Sequence, residues 1–306
     1  MPTAKRLICV GHAALDRIYR IEAFPPEPTK VRALEHVESG GGMSANAAVA
    51  IARLGGRVEL WSRIGEDGAG VAIRAGLKAE RVDVRYVQAF EGARSSTSAI
   101  IVDGRGDRLI VGQRDAGMPS GTSWLPLERV KGAGAVLGDV RWLEGVRAVF
   151  GSARKEGIAT ILDADLGARE ALAGILGSTD YAIFSAPALR EFAPGGADSD
   201  RLGYVLSLGP RHAGVTLGRD GYLWREQNGM GQVPAFSVSV TDTTGAGDAF
   251  HGAFALMVAE GRPTTDGARA AAAVAALKCT RLGARAGLPS RAELDAFLAR
   301  PPAHAS

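Results

Sequence analysis

From Pro119 onward the chain alternates short apolar runs with helical segments, and this rhythm restricts the fold more than any other feature. The runs are Ala135–Asp139, Thr160–Asp165, Tyr181–Ser185 and Gly214–Gly218. Leu7–Gly11 near the start is of the same kind. Short continuous apolar strands are those buried on both faces of a parallel sheet. Strands that alternate with helices build such a sheet with helices on both sides. The expected fold class is therefore α/β, a doubly wound, mostly parallel sheet. A length of 306 residues suits one large domain, or one with a small appendage.

The appendage has its own signature. His12–Ile21 alternates apolar and polar residues, Pro25, Pro26 and Pro28 break the chain, and Lys30–Val37 alternates again. Alternation means one covered face and one wet face. Ser95–Val102 and Arg108–Gly112, joined by Asp103-Gly104 and Gly106-Asp107, read as a hairpin. These pieces are expected to form one small sheet outside the main body, from about residues 13–38 and 95–115, within a single domain spanning 1–306. Elsewhere, helices are expected over Ala45–Leu54, after Gly65–Gly68 with Val71, Ile73 and Leu77 as its apolar positions, and over Gly267–Leu282. Val58–Ile64 reads as a strand, and the Ala-Ser tail as frayed.

Asp242-Thr-Thr-Gly-Ala-Gly-Asp248 runs straight into a helix whose Phe250, Phe254, Met257 and Val258 form an apolar stripe. The first N–H groups of a helix lack internal partners and carry the positive end of its dipole. A turn of Gly245, Ala246 and Gly247 leaves those donors open to an anion, most naturally a phosphate. Asp248 sits in the same turn, where the dipole favours its ionised form. An anion cradle beside a carboxylate is what phosphoryl transfer to an alcohol requires. The competing reading is a Gly/Asp cap on a core helix. Gly40-Gly41-Gly42 opens a second helix at a strand end, and Asn46 there could bond a substrate hydroxyl. Asp16 follows the first strand, at the edge where open α/β sheets bind ligands, or is a surface strand residue. Thr216, Gly218 and Gly221 allow close backbone approach to a nucleotide, although a hairpin turn explains Asp220-Gly221 equally well. His251, just after the Asp248 turn, reads as a packing residue of the helix, with a general acid as the alternative.

Several classes drop out. The 36 basic against 33 acidic residues leave a net +3, which makes no case for nucleic acid. The first apolar run is too short for a signal peptide or a membrane span. Cys9 and Cys279 suit a reducing cytoplasm. The five histidines show no ligand spacing, and the usual P-loop and dinucleotide glycine fingerprints do not occur.

The pair Gly40–Asn46 and Asp242–Asp248, some two hundred residues apart and in this order, resembles the two signatures of the ribokinase-like (PfkB) carbohydrate kinases, over essentially the whole chain. The resemblance implies an ATP- and Mg2+-dependent sugar kinase with a Rossmann-like body, a β-sheet lid and a homodimer made through that lid. It implies Asp248 as catalytic base and Gly245, Ala246 and Gly247 as anion hole. Asp16, Gly41, Gly42 and Asn46 would bind the sugar, and Thr216, Gly218, Gly221 and Ser185 the nucleotide. Asp242 and Thr244 match positions that hold a monovalent cation such as K+. Within the family, Leu15–Tyr19, Asp139–Trp142, Ala182–Ser185 and Ala275–Arg281 look most like the sulfofructose kinase branch, and Lys30 and Arg141 fit an anionic ketose such as 6-deoxy-6-sulfofructose. Arg114 on the lid hairpin is a third cation for that group. The alternatives are a kinase for a neutral sugar (ribose, fructose or a nucleoside) or for 2-keto-3-deoxygluconate, a catalytically silent sugar or nucleotide sensor, and a nicotinamide-dependent oxidoreductase. Two departures stand out: Ser185-Ala-Pro-Ala188 replaces the family's Asn-x-x-Glu motif near Mg2+, and Gly112-Gln-Arg114 stands where the sulfofructose branch tends to carry asparagine. No Mg2+ ligand is assigned, and Asp139, Asp163 and Asp165 are the carboxylates available to hold it through water.

Overall fold

The structure, a computed structural model, describes residues 6–299 except 106 and 168. The Ala-Ser tail and Gly106 of the expected hairpin turn lie outside the described residues. The strands in chain order are β1 (Arg6–Gly11), β2 (Ala14–Arg20), β3 (Glu35–Gly41), β4 (Arg57–Gly65), β5 (Val87–Phe90), β6 (Ser96–Val102), β7 (Arg108–Gln113), β8 (Ala135–Asp139), β9 (Ala159–Ala164), β10 (Tyr181–Ser185), β11 (His212–Thr216), β12 (Tyr222–Glu226) and β13 (Gly229–Val233). The helices are α1 (Met43–Arg53), α2 (Gly68–Ala79), α3 (Leu143–Lys155), α4 (Arg169–Leu176), α5 (Ala186–Phe192), α6 (Asp198–Ser207), α7 (Ala246–Ala259), α8 (Thr264–Lys278) and α9 (Arg291–Leu298).

The main sheet runs β13-β12-β11-β10-β9-β8-β1-β4-β5, parallel from β11 to β5 and closed at the other edge by the antiparallel pair β12 and β13. Each buried strand serves two cores. Leu7 and Cys9 of β1 pack with α1, α2, α7 and α8, while Ile8 and Val10 pack with α3 to α6 on the opposite face. This two-sided burial explains why the strands read as continuous apolar runs. Helix α7 is buried nearly all round from Ala249 to Met257, beyond its apolar stripe. In α2, Ile73 and Leu77 are buried as expected, whereas Val71 points to solvent.

A second sheet, β3-β2-β6-β7, stands over the carboxyl ends of the main strands. Strand β2 pairs antiparallel with β3 and parallel with β6, which hairpins into β7. The expected strand at Lys30–Val37 begins only at Glu35, because the prolines at 25, 26 and 28 leave residues 21–34 irregular. The β12–β13 hairpin and β5 carry no marked apolar run or alternation in the sequence.

Candidate active site

Two cavities meet at the start of α7. The first, about 410 Å³, lies between the sheets and is lined by Asp16, Asn46, Ser98, Arg114, Arg141 and Asp165, with Thr244, Gly245 and Asp248 as its floor. The second, about 550 Å³, is lined by Thr216, Gly218, Gly221, the segment around Phe236–Val240 and the alanine face of α8 at Ala272, Ala275 and Ala276. Its wall on the side of the first cavity is Thr243, Ala246 and Gly247. One turn, residues 243–248, is therefore the partition between them.

Local chemistry builds that turn. Gly245 caps α7 at φ 75°, a left-handed conformation, and a Cβ there would lie 2.9 Å from Cβ of Ala284. The N–H of Ala246 donates to the Thr243 carbonyl at 3.2 Å, so it is not a free donor. Among the described residues the N–H groups of Gly245, Gly247 and Asp248 have no intramolecular acceptor, so the open donors are these three and not the expected Gly245, Ala246 and Gly247. A Cβ on Gly247 would meet nothing within 4 Å, so its donor is open to a ligand.

Asp248 accepts from Asn46 Nδ2 at 2.8 Å, and Asn46 Oδ1 accepts from Arg285 Nε at 2.9 Å. Burial, helped by the neighbouring Asp163 carboxylate, pushes the Asp248 pKa up to about 7 against the pull of Asn46. The sequence reading of a carboxylate held ionised by the helix dipole is thus corrected: desolvation brings Asp248 close to neutral pH. The glycines before α1 clear space. A Cβ on Gly40 would overlap the Arg285 guanidinium and one on Gly41 the Asp16 carboxylate. Gly41 makes room for the cavity wall without lining it, whereas Gly42 lines the cavity. Asp16 is buried, which raises its pKa, while Ser98 and Arg285 pull it back.

The cations separate. Arg114 lines the first cavity, and among the described residues no carboxylate pairs with it. Burial and the nearby Arg141 lower its pKa. Arg141 also lines the cavity, but its guanidinium is committed to Asp165 at 2.9 Å and to the Leu166 carbonyl at 3.0 Å. Lys30 is exposed on the irregular segment and does not line the cavity. Ser185 stands outside the second cavity: its hydroxyl caps α5 and donates to Asp165.

Asp242, which with Thr244 is expected to hold a monovalent cation, already has partners within the chain. Its Oδ1 accepts from the N–H and hydroxyl of Thr244 at 2.8 and 2.7 Å, and its Oδ2 from the N–H of Gly283 at 2.8 Å. The ammonium of Lys278 donates to its carbonyl at 2.7 Å and lies 3.6 Å from Oδ2. The carbonyl and both carboxylate oxygens of Asp242 therefore already face an ammonium, N–H or hydroxyl group. Asp139 is also engaged: its Oδ2 accepts from the N–H groups of His12 and Ser44 and from the Ser44 hydroxyl, and its Oδ1 from the N–H of Arg141. Among the described residues no three of His, Cys, Asp or Glu gather as a metal cage.

Residues 4–291 match the pfkB family of carbohydrate kinases. The chain belongs to that family. It is 31% identical to the ribokinase of Bacillus subtilis, over 96% of this chain and 99% of that one. It is 28% identical to an ATP-dependent ribose-1-phosphate kinase of Halopiger xanaduensis, over 96% and 98%. The Arabidopsis thaliana ribokinase, solved with ribose and ATP, superposes with a TM-score of 0.86 at 26% identity, covering 98% of this chain and all of that one. This is a sugar kinase of the ribokinase-like fold.

Three site residues of the kinase escaped the sequence. Arg285 reaches Asn46 and Gly41 from 239 and 244 positions away. Arg108 on β7 donates to the Thr243 hydroxyl at 2.8 Å and links the second sheet to the turn. Lys278 sits beneath the turn. Lys278 lies in the Ala275–Arg281 run, but no local motif assigns any of the three a role in the site. His251 is buried, its ring nitrogens on the Gly247 and Ile183 carbonyls and its Nδ1 3.4 Å from Asp163 Oδ2.

Proposed function

We propose that this kinase transfers the γ-phosphoryl group of ATP to a primary hydroxyl of a small sugar that carries an anionic group, in the manner of 6-deoxy-6-sulfofructose. The observation that carries the reading is the partition: the 243–248 turn borders a polar cavity on one side and an alanine-lined cavity on the other. The polar cavity takes the sugar, with Asp16 and Asn46 on its hydroxyls. The other takes the nucleotide, its base against Ala272, Ala275 and Ala276 and its phosphates toward Thr216, Gly218 and Gly221. ATP supplies the phosphoryl group, and a Mg2+ ion would arrive on its phosphates, since Mg2+ keeps several waters and needs few protein ligands.

Asp248 takes the hydroxyl proton as the sugar oxygen forms its bond to phosphorus and the bond to the β-phosphate oxygen breaks. A pKa near 7 suits a general base at neutral pH, because the carboxylate is ionised often enough to act and basic enough to accept. The free N–H groups of Gly245, Gly247 and Asp248 hold the charge on the transferring group. Arg114, which faces the cavity without a carboxylate partner, receives the substrate's anion, with Arg141 behind it.

The second sheet acts as the lid, and the exposed Leu109 and Val111 of its edge strand β7 support pairing with a second copy. Cys9 and Cys279, buried and unpaired, suit a cytoplasmic protein. Among the described residues no helix is long and apolar enough to cross a membrane. A second reading, a neutral pentose such as ribose, is favoured by the relatives named ribokinase. ADP release measured over sulfonated ketoses, phosphorylated pentoses, ribose and fructose tests the proposal. Turnover greatest on an anionic sugar supports it, greatest on ribose supports the second reading, and sugar binding without turnover leaves only a sensor.

A further inference from the structure

Lys278 is a lysine with no exposed surface, at the last position of α8. A lysine is rarely buried whole unless its charge is matched. Its surroundings match it. The end of a helix is the negative end of the dipole, and Asp242 offers both its carbonyl and its carboxylate. Burial pulls the Lys278 pKa down, and the Asp242 carboxylate pulls it back.

The same residues tie the partition together. The N–H groups of Thr241 and Asp242 donate to the Cys279 carbonyl at 2.8 and 3.1 Å. Gly283 donates to Asp242, and Ala284 packs against Gly245. Lys278 therefore stands where the end of α8, the loop after it and the start of the turn meet. From there the turn leads in three residues to the free donors at its head.

We propose that Lys278 is the turn's built-in cation: its tethered ammonium holds the Asp242 carbonyl and carboxylate in place of a monovalent metal ion, so that the enzyme needs no such ion to order its anion hole. Lys278 is a positioning residue, since it acts through Asp242 and touches no substrate. The inference rests on the turn being the anion hole, and the two ideas fail separately. If sugar-dependent ADP release is absent under all salts, the functional reading fails. If it is present, the salt dependence judges Lys278.

The experiment compares KCl with tetramethylammonium chloride at equal ionic strength. The wild-type kcat should differ less than twofold between the salts. Lys278→Ser, which opens room for an ion, should lose at least tenfold in kcat in tetramethylammonium chloride. It should regain most of that in KCl or NH4Cl, and its melting temperature should rise in KCl where that of the wild type does not. A wild-type enzyme activated severalfold by K+ overturns the proposal, and this arm needs no variant to fold. A folded Lys278→Ser protein whose kcat is the same in both salts, at whatever level, overturns it as well.

Discussion

Replacing Asp248 with asparagine should stabilise the protein at alkaline pH while abolishing its chemistry. The amide keeps the shape of the carboxylate and can accept from Asn46 Nδ2 as Asp248 does at 2.8 Å. It removes a charge that the folded chain holds at a cost. The Asp248 pKa is raised from 3.8 to about 7, chiefly by burial. Because the folded value lies above the unfolded one, the native state binds more protons between these limits. Wild-type stability therefore falls as pH rises from about 4 to 7, and the full penalty stands above that. At about 1.36 kcal/mol per pH unit the penalty is on the order of 4 kcal/mol, and relaxation around the variant should lower the observed gain to roughly 2–4 kcal/mol. Urea unfolding at pH 8.5 and at pH 4 measures it, with the gain expected at the first pH and absent at the second. In the same preparation kcat should fall by about 10²–10⁴-fold or more while sugar and nucleotide binding persist. A variant that keeps more than about a tenth of wild-type kcat, against that general-base loss, or that gains no stability at pH 8.5, would refute the assignment of Asp248 as a buried base.

Three further outcomes follow from the same geometry. The wild-type kcat/KM should rise about tenfold per pH unit up to about 7 and level off above, as ionised Asp248 accumulates; a profile flat from pH 5.5 to 8 would contradict it. Gly247→Val should fold with near-normal stability, since nothing lies within 4 Å of the new Cβ. It should nevertheless lose about 10²-fold or more in kcat by covering the open donors, and normal activity would dismiss them as an anion hole. Hydrogen exchange in β2, β3, β6 and β7 should slow when sugar and a nonhydrolysable nucleotide are bound together; unchanged protection with ligand demonstrably bound would count against a closing lid.

The parts of the fold that were legible in the sequence are those with local causes. A strand buried on both faces must be apolar throughout, so β1, β8, β9, β10 and β11 stood out. A helix opening on glycines exposes its donors, so both turns at Gly42 and Gly245 could be placed. The Lys30 strand failed because alternation outweighed three prolines nearby, and the prolines prevail in the structure. The roles of Arg285, Lys278 and Arg108 depend on segments far apart in sequence meeting in space, which no local pattern encodes. The same limit applies to Arg141 and Ser185: their positions near strand ends were readable, but not that Asp165 engages both. The motif around Asp242 points to a cation ligand, and the fold brings Lys278 to the same residue.

The measurement that bears most directly on the account is the specificity of Arg114→Ala, assayed as kcat/KM for 6-deoxy-6-sulfofructose and for neutral fructose. A charge-assisted contact contributes about 1.5–3 kcal/mol, which corresponds to a loss of roughly tenfold or more. The account predicts that loss on the sulfonated sugar, little change on fructose, and a wild-type preference for the anionic sugar. Equal losses on both sugars, or a wild-type enzyme that favours the neutral one, would contradict it.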